Sequence, residues 1–310
     1  MGRQVRRRNG KAERRDVNGI LLLDKPAGVS SNTALQRCKR LFNAHKGGHT
    51  GSLDVPACGL LPICFGEATK VSGYLLDAAK VYRTRFKLGE RTSTGDAQGE
   101  IVATKPVPEL TRQELESVMK GFIGEILQVP PMHSAIKHQG QPLYKLAYAG
   151  QTVERKARSV RIYQLDLLAA FDRHIDVEVT CSKGTYIRTL AEDVGEVLGC
   201  GAHVDYLRRL AVGPFRIDGA VSLEGLCALA EQEREALDAW LLAPDSALPE
   251  QPPVSLTADA SYYLCQGQAV QVPKAPLAGI VRLYDPERRF LGVGQVLDDG
   301  RIAPRRLLKM

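Results

Sequence analysis

Asp54 is the carboxylate best placed by its surroundings to do chemistry. It is the only Asp or Glu between Asp24 and Glu67, and it lies in the segment GGHTGSLDVPACGLLP at residues 47–62. The glycines of this segment let backbone and ligand approach closely. A carboxylate there can attack or stabilise an electron-poor carbon, as it does in glycoside chemistry. Taken alone, however, the segment favours a turn or capping aspartate, so Asp54 is a candidate that needs support.

Two other side chains could assist such a carboxylate. Arg188 follows the polar run SKGTYI, where a strand gives way to a helix. A guanidinium there could hold a carboxylate ionised through charge-assisted hydrogen bonds, although a surface or phosphate-binding arginine is the alternative. Tyr82 could stack a base on its ring, but an aromatic on the apolar face of a strand is the commoner case. Neither residue decides the function by itself.

The sequence predicts neither a metal site nor a cofactor. His45 and His49 have the best metal-like spacing, but Gly47 and Gly48 between them oppose the helix that would place both on one face. The seven cysteines are odd in number, scattered and never arranged as C-x-x-C, which indicates reduced and mostly buried thiols. Cys58 lies close to Asp54, but no activating base stands near it in the sequence.

The elements that must position these residues follow from periodicity. Residues 20–23 predict a short buried strand, which leads through a turn to a serine-capped helix ending near residue 42. Residues 47–62 fit neither helical nor strand periodicity, so we expect them to be a loop. Residues 81–88 alternate between apolar and charged side chains, which predicts a half-buried strand with Tyr82 on its inner face.

The second half of the chain alternates between helix and strand signals. Thr111 and Glu114 form a capping-box pattern before a helix, and residues 175–181 alternate as a strand that opens into the turn before Arg188. The following helix is predicted to point Leu190, Val194, Val197 and Leu198 inward. A proline-rich stretch at residues 245–255 predicts a linker or a domain boundary, and the short β segments beyond it suit a small β barrel.

Composition and charge set the broad class. The chain has 310 residues, 44% of them hydrophobic, which suits one large domain and a small one. Its apolar runs fall far short of the roughly 20 residues that span a membrane, and no secretory signal is evident, so we expect a cytoplasmic protein. Of the net charge of +7, residues 1–15 carry seven cations against one acid. Such an arm is expected to be disordered, and either contacts phosphates or merely aids solubility.

Several segments together resemble one family. GHTGSLD at residues 48–54, with GLLP after it at residues 59–62, closely resembles the catalytic loop of bacterial tRNA pseudouridine-55 synthases of the TruB type. The similarity continues through LLLDKPAGVSS at 21–31, VYRTRFKLG at 81–89, CSKGTYIRTLAEDVG at 181–195 and LGCGAHVDYLRRLAVG at 198–213. The chain departs from the family pattern at Val55-Pro56, where Pro-Leu is commoner, and at Cys58, where Thr is commoner.

The resemblance implies a fold and an activity. It implies a mixed α/β, largely antiparallel-sheet catalytic domain over residues 16–247, followed by a PUA-like β barrel over residues 248–310. The implied reaction is isomerisation of uridine to pseudouridine at position 55 in the T loop of tRNA, with the base flipped out of the loop. This reaction needs no cofactor. The resemblance also implies that the barrel binds the acceptor end of the tRNA. We expect the protein to be a monomer.

The resemblance also assigns roles. Asp54 would be the nucleophile, and Arg188 would pair with the aspartate. Tyr82 would lie against the target base and is also a candidate for the later removal of the proton from C5. The other residues implied at the site are Tyr186 and Leu207 lining the uracil pocket, His49 beside the space vacated in the RNA loop, Lys25 and Pro26 as support, and Asp96 as an RNA contact. Whether the aspartate adds to ribose C1′, adds to uracil C6 or removes a ribose proton stays open.

Two rival functions also stay open at this stage. A non-catalytic RNA-binding or RNA-folding protein could keep the same fold, although an intact Asp54, Tyr82 and Arg188 set favours catalysis. A hydrolase could use Asp54 and Asp96 as an acid and base, which requires the two carboxyl groups to converge across a substrate. Nothing in the sequence indicates that they do.

Overall fold

A large mixed sheet organises most of the chain, and the computed structural model describes residues 14–134 and 136–309, apart from the side chain of Arg234. In these residues the α-helices are α1 Ser31–Leu41, α2 Ser72–Asp77, α3 Arg112–Gly121, α4 Leu143–Tyr148, α5 Ile187–Val197, α6 Leu223–Gln232 and α7 Ala258–Cys265. The 3-10 helices are Gly66–Lys70, Ile217–Gly219, Arg234–Trp240 and Pro244–Ala247.

The strands divide into one large sheet and three small ones. They are β1 Gly19–Lys25, β2 Gly47–His49, β3 Cys58–Phe65, β4 Lys80–Leu88, β5 Glu90–Thr92, β6 Ile101–Thr104, β7 Gly124–Gln128, β8 Lys137–His138, β9 Gln141–Pro142, β10 Arg158–Phe171, β11 His174–Cys181, β12 Ala202–Val212, β13 Phe215–Arg216, β14 Val221–Ser222, β15 Leu241–Leu242, β16 Pro253–Ser255, β17 Ile280–Tyr284, β18 Phe290–Val296 and β19 Ile302–Leu307.

The large sheet has eleven strands and a main order of β14-β1-β3-β12-β4-β11-β10-β7. Only the β1–β14 and β3–β12 pairs are parallel, and the other pairs in the sheet are antiparallel. The expected mixed and largely antiparallel fold is therefore confirmed. β12 lies between β3 and β4, so Arg209 on β12 is the register partner of both Gly59 and Tyr82.

Apolar cores pack the helices against this sheet. Helices α3 and α5 share a core with β4, β10, β11 and β12, in which Phe86, Val177 and Leu190 are fully buried. Helices α1 and α6 share another with β1 and β3, around Leu23 and Phe65. Each such side chain contributes roughly 1.5–3 kcal/mol of hydrophobic free energy on burial. The cores thus fix the ends of α1 and α5, which meet the candidate site.

The elements with strong local signals were predicted correctly. The helix capped by Ser30 spans Ser31–Leu41, and the Ser30 side chain accepts a hydrogen bond from the Thr33 amide. The capping box of Thr111 and Glu114 is present at the start of α3. β4 and β11 cover the two alternating segments, with Phe86 and Val177 buried.

Two local predictions were wrong. Residues 47–62 are not one loop, because β2 and the first part of β3 occupy its ends. β3 is buried almost throughout between β1 and β12, and a strand covered on both faces shows no alternation in sequence. Val197 is 63% exposed rather than inward. It is the last residue of α5, past the core that Leu190 and Val194 enter.

The C-terminal segment forms a four-stranded sheet with the order β16-β17-β18-β19 and its own apolar core. A single bridge joins Val270 to Ile302, but the pairings do not close this sheet into a barrel within the described residues. Instead of a free linker at residues 245–255, the chain is held in place, since the Tyr284 hydroxyl donates to Asp245 Oδ2 at 2.7 Å. Val293 packs in a core shared with Leu75 and Val212 of the large sheet region.

The N-terminal arm is only partly described. Residues 1–13 of the predicted arm lie outside the described residues, whereas Arg15 donates from its amide to the Asn43 carbonyl at 2.8 Å. No helix in the described part of the chain is long and apolar enough to cross a membrane.

Candidate active site

The loop from Thr50 to Ala57, between β2 and β3, presents Asp54. Ser31 in the first turn of α1 anchors it twice, because its hydroxyl accepts from the Leu53 amide at 2.8 Å and donates to the Leu53 carbonyl at 3.0 Å. The Gly28 amide donates to the Val55 carbonyl at 2.8 Å. Contacts from two other segments therefore fix the residues on either side of Asp54.

Arg209 provides the third anchor of this loop. Its side chain is buried, with 1% exposure, and donates to the carbonyls of Leu60 at 2.7 Å and Gly51 at 3.0 Å. Gly59, at φ +103°, lies so close that an added Cβ would be 2.3 Å from the Arg209 carbonyl. Only glycine permits that approach. The chain thus passes tightly around a buried cation just after Asp54.

Sequence reasoning missed Arg209, although one signal was available. Consecutive residues of a strand point to opposite faces, so Arg208 and Arg209 on β12 cannot both face solvent if one face of that strand is covered. The structure buries Arg209 and leaves Arg208 part-exposed, where it donates to Asp24 Oδ2 at 2.6 Å and approaches Cys58 Sγ at 3.5 Å.

Arg188 is paired with Asp54 and fully oriented. Its Nε lies 3.0 Å from Asp54 Oδ2, and the Arg188 side chain is only 5% exposed. Its Nη1 donates to the Thr94 carbonyl at 2.9 Å and its Nη2 to the His133 carbonyl at 2.7 Å. Because all three nitrogens are engaged, the guanidinium has one orientation in which Nε faces the aspartate.

The protonation of Asp54 reflects two opposing effects. Burial against the surrounding protein raises the pKa of this carboxyl above its usual value, and the Arg188 charge acts in the opposite direction without outweighing it. The nearby Asp96 charge raises the pKa further. Arg188 therefore lowers the pKa of Asp54, as its expected role requires, but the larger effect of burial leaves the pKa above its usual value. The Asp54 side chain still keeps 43% of its surface accessible.

A small cavity opens beside the pair. It is lined by Asp54, Pro56, Ala57, Asp96, Ala97, Arg188, Val204, Asp205 and Leu207. Four of the residues that the resemblance implied at the site, namely Asp54, Asp96, Arg188 and Leu207, therefore meet at one cavity. Neither Tyr82 nor Tyr186 is among the residues that line this cavity. Burial is the main cause that raises the pKa of both phenols, and the Asp54 charge adds a smaller increase.

Comparison with known proteins identifies the family of the chain. A family model described as "TruB family pseudouridylate synthase (N terminal domain)" matches residues 39–187, and two TruB C-terminal models match residues 188–249 and 252–308. The chain is 56% identical to tRNA pseudouridine synthase B of Stutzerimonas stutzeri, over 96% of this chain and 98% of that one. It is 57% identical to the protein of that name from Nitrosococcus oceani, over 94% and 95%. The chain belongs to the TruB family of pseudouridine synthases.

Solved structures support the TruB-type fold. An H/ACA ribonucleoprotein bound to a substrate RNA containing 2′-deoxyuridine matches with a TM-score of 0.73 at 22% identity, over 94% of this chain and 85% of that chain. A Cbf5-Nop10-Gar1 complex matches with a TM-score of 0.71 at 24% identity, over 94% and 84%. At these identities the likeness shows the fold alone.

Two other residues that the TruB resemblance implied lie near the loop but outside the cavity lining. His49 is on β2 opposite Ile63, and burial lowers its pKa. Its Nδ1 is buried without a hydrogen-bond partner among the described residues. Lys25 is buried and donates to the carbonyls of Pro26 at 2.9 Å and Val29 at 2.7 Å. Burial lowers the pKa of Lys25 to about 8.

Asp96 meets Asp54 at Arg188, which the sequence did not indicate. Its Oδ2 lies 3.8 Å from Arg188 Nη1, while its Oδ1 accepts from the Thr94 hydroxyl at 2.6 Å and the Gln98 amide at 3.1 Å. The two carboxylates that a hydrolase would require thus line one cavity. Since Asp96 is only 8% exposed and held by these donors, its geometry suits a fixed counter-charge better than a mobile acid or base.

No group of three or more His, Cys, Asp or Glu side chains in the described residues could hold a metal ion. Cys58 is a free cysteine of intermediate burial, whose sulfur is 3.8 Å from the Tyr206 hydroxyl. Arg208 donates to the same sulfur at 3.5 Å.

Proposed function

We propose that this protein converts uridine to pseudouridine at position 55 in the T loop of tRNA, with Asp54 as the nucleophile. The observation that carries the proposal is the 3.0 Å pair of Asp54 with an oriented Arg188 at a cavity. It stands in a chain more than half identical to proteins named tRNA pseudouridine synthase B. The conversion is an isomerisation, so it requires no cofactor.

In this reaction the bond from ribose C1′ to uracil N1 breaks and a bond from C1′ to C5 forms. The proton on C5 leaves, and N1 ends with a proton, so the atoms balance without an added reagent. Asp54 must be ionised to act, and Arg188 holds its carboxylate in place through the step. Addition at C1′, addition at C6 and removal of a ribose proton are all compatible with one carboxylate at this position.

Tyr82 is better suited to contact the base than to take its proton. Burial raises the pKa of the phenol, so Tyr82 is neutral near pH 7. A neutral aromatic ring packs well against a flipped uracil, whereas removal of the C5 proton would require the phenolate that burial disfavours. Leu207, in the cavity wall, would pack against the same base.

The partners follow from the same proposal. Recognition would rest on the shape and backbone of the folded T loop, with residues 248–310 contacting the acceptor end. In this proposal the protein acts as a monomer in the cytoplasm on its tRNA substrate.

The deciding experiment combines site mapping with Asp54→Asn. Wild-type protein and variant are incubated with an unmodified tRNA transcript and a T-loop point variant, and pseudouridine is mapped by chemical derivatisation and primer extension. We expect one new pseudouridine in the T loop, and a loss of turnover with Asp54→Asn of about four orders of magnitude or more. Binding of tRNA should change little.

Asp166→Asn is the matched control, because Asp166 is an exposed aspartate on β10 and its loss should leave turnover unchanged. Near-normal turnover with Asp54→Asn would overturn the assignment of the nucleophile. Binding by the wild-type protein without any modification would instead favour an RNA-folding role.

A further inference from the structure

Arg209 carries a buried charge that no carboxylate neutralises. Its side chain is 1% exposed, and it forms no ion pair with an acidic group among the described residues. Burial of a cation without a counter-ion is costly unless its donors are engaged. Here neutral acceptors engage them, since Nε donates to the Leu60 carbonyl at 2.7 Å and Nη2 to the Gly51 carbonyl at 3.0 Å.

Other basic side chains stand close to this charge. Burial lowers the pKa of Lys25 and Lys80, and the Arg209 charge lowers the pKa of both further. The same two causes lower the pKa of His49. A well-packed apolar side chain at position 209 would avoid this repulsion. Stability alone therefore gives no reason for a guanidinium at this point of β12.

The fold places Arg209 directly beside Tyr82. The two residues are register partners in the antiparallel strands β12 and β4, so their side chains leave the sheet on the same face, with Cβ atoms about 4.5–5.5 Å apart. Burial raises the pKa of the Tyr82 phenol, whereas the charge of Arg209 and a hydrogen bond from its side chain lower it. Because a guanidinium can only donate, the phenol oxygen accepts, and the O–H of Tyr82 points away from Arg209.

The pair of Arg209 and Tyr82 lies close to the cavity that Asp54 lines. Leu207, two residues before Arg209 on β12, is part of the cavity wall. Alternate residues of a strand share a face at a spacing of about 7 Å, and the register of β12 against β4 has no shift between Leu207 and Arg209. The pair therefore stands about 7 Å along the sheet from the wall of the cavity.

The same guanidinium holds the loop that carries Asp54. The carbonyls of Gly51 and Leu60, which accept from Arg209, lie before and after Asp54 in the chain, and Nη1 approaches the Ser52 carbonyl at 3.5 Å. One side chain thus contacts the loop of the nucleophile on one side and the hydroxyl of the base-contacting tyrosine on the other.

We propose that Arg209 is a positioning residue for the isomerisation, and that its guanidinium fixes the carboxylate of Asp54 relative to the ring of Tyr82. The inference rests on the proposed function, in which these two groups act on the nucleotide. A lysine ammonium keeps the charge but concentrates its donors on one atom, so it cannot span the loop carbonyls and the phenol as a planar guanidinium does. A shift of about 1 Å in a reacting group can slow a chemical step by about two orders of magnitude.

The test compares Arg209→Lys with Lys80→Gln in the full chain. Lys80 is the matched control, because it is also buried, at 6% exposure, and its Nζ donates to three backbone carbonyls around the end of α2, outside the cavity lining. The thermal midpoint, the dissociation constant for an unmodified tRNA transcript and the single-turnover rate at saturating enzyme are measured for each variant.

We expect the rate and the affinity to separate. Arg209→Lys should lower the single-turnover rate at least about tenfold and leave the dissociation constant within about threefold. Lys80→Gln should keep the rate within about threefold, even where its thermal midpoint falls further. Arg209→Gln, which keeps an amide donor without the charge, is measured in parallel and should show the same loss of rate at unchanged affinity.

Two double-mutant cycles distinguish positioning from a general loss of folding. Arg209→Lys is combined with Tyr82→Phe, which removes only the phenol oxygen, and separately with Ser31→Ala, which removes another anchor of the loop. Changes that act through shared contacts have non-additive effects. Arg209→Lys should therefore lower the rate by a factor at least about threefold smaller in each of these backgrounds than in the wild type, whereas Lys80→Gln and Ser31→Ala should be additive.

A wild-type rate in Arg209→Lys, an equal loss of rate in Lys80→Gln, or additive effects in either Arg209 cycle would overturn the inference. Pseudouridine formation by the wild-type protein is scored first. Its absence would count against the proposed function, whereas normal wild-type turnover with an unaffected Arg209→Lys variant would count against the role of Arg209 alone.

Discussion

The surroundings of Asp54 affect the pKa of its carboxyl group in opposite directions. Burial favours the protonated acid, whereas the Arg188 guanidinium 3.0 Å away favours the carboxylate. The net effect raises the pKa. The guanidinium orients the carboxylate, while 43% of the Asp54 side chain stays accessible to solvent and to a substrate.

This balance predicts the pH dependence of the reaction. Since Asp54 must be ionised, kcat/KM should fall tenfold per pH unit once the pH drops below its raised pKa, at a higher pH than for an ordinary aspartate. Asp96→Asn keeps an oxygen for Thr94 and Gln98 but removes a negative charge that raises the pKa of Asp54. We therefore expect this variant to move the acidic limb to lower pH.

The measurement is a profile of kcat/KM against pH for the wild type and Asp96→Asn, with a tRNA transcript in single-turnover reactions. Glu178→Gln on β11, where the carboxylate pairs with Arg83 away from the cavity, serves as the charge-matched control and should leave the limb in place. A limb that shifts upward in Asp96→Asn would contradict the electrostatic account.

At the scale of elements, the Asp54 loop depends on anchors from separate parts of the chain. Ser31 on α1 binds both backbone groups of Leu53, and Arg209 on β12 binds carbonyls on both sides of Asp54. The loop has no regular structure of its own between β2 and β3. Its shape therefore follows from how α1 and β12 pack against the sheet.

Adjacent serines allow this dependence to be tested. Ser31→Ala removes the anchor of Leu53, whereas Ser30→Ala removes the cap of α1, where Ser30 accepts from the Thr33 amide. Each change should lower the free energy of unfolding by about 1–2 kcal/mol. Only Ser31→Ala should also lower kcat, by at least about tenfold, because a misplaced reacting group slows the chemical step. Urea unfolding and single-turnover rates of both variants decide the matter, and equal rates would show that the anchor is not needed.

At the scale of the whole molecule, the C-terminal sheet and the large sheet share a core. Val293 on β18 packs with Leu75 and Val212, and the Tyr284 hydroxyl binds Asp245. Packed side chains and a hydrogen bond therefore hold the two parts together, in addition to the connecting chain.

A shared core predicts cooperative unfolding. Val281→Ala lies in the separate core of the C-terminal sheet and should cost about 1–3 kcal/mol. The single tryptophan, Trp240, is in the other part of the molecule, so its fluorescence reports on that part. We expect the urea midpoint seen by Trp240 to shift with Val281→Ala and to coincide with the far-UV circular dichroism midpoint. A shift seen by circular dichroism alone would show that the two parts unfold independently.

The sequence by itself determined the elements with a local signal and the residues that carry the family resemblance. Alternation defined β4 and β11, and serine and capping-box patterns defined α1 and α3, because these signals arise between residues close in the chain. The resemblance identified Asp54, Arg188 and Leu207, which the structure brings to one cavity.

Only the tertiary structure decided the rest. The sequence did not predict β3, because a strand that is buried on both faces shows no alternation of apolar and polar residues. The meeting of Asp96 with Asp54 at Arg188, the enclosure of Arg209 and the docking of the C-terminal sheet join segments far apart in the chain. Local periodicity carries no information about such pairs, because they form only when separate elements pack into one core and exclude water from the groups between them.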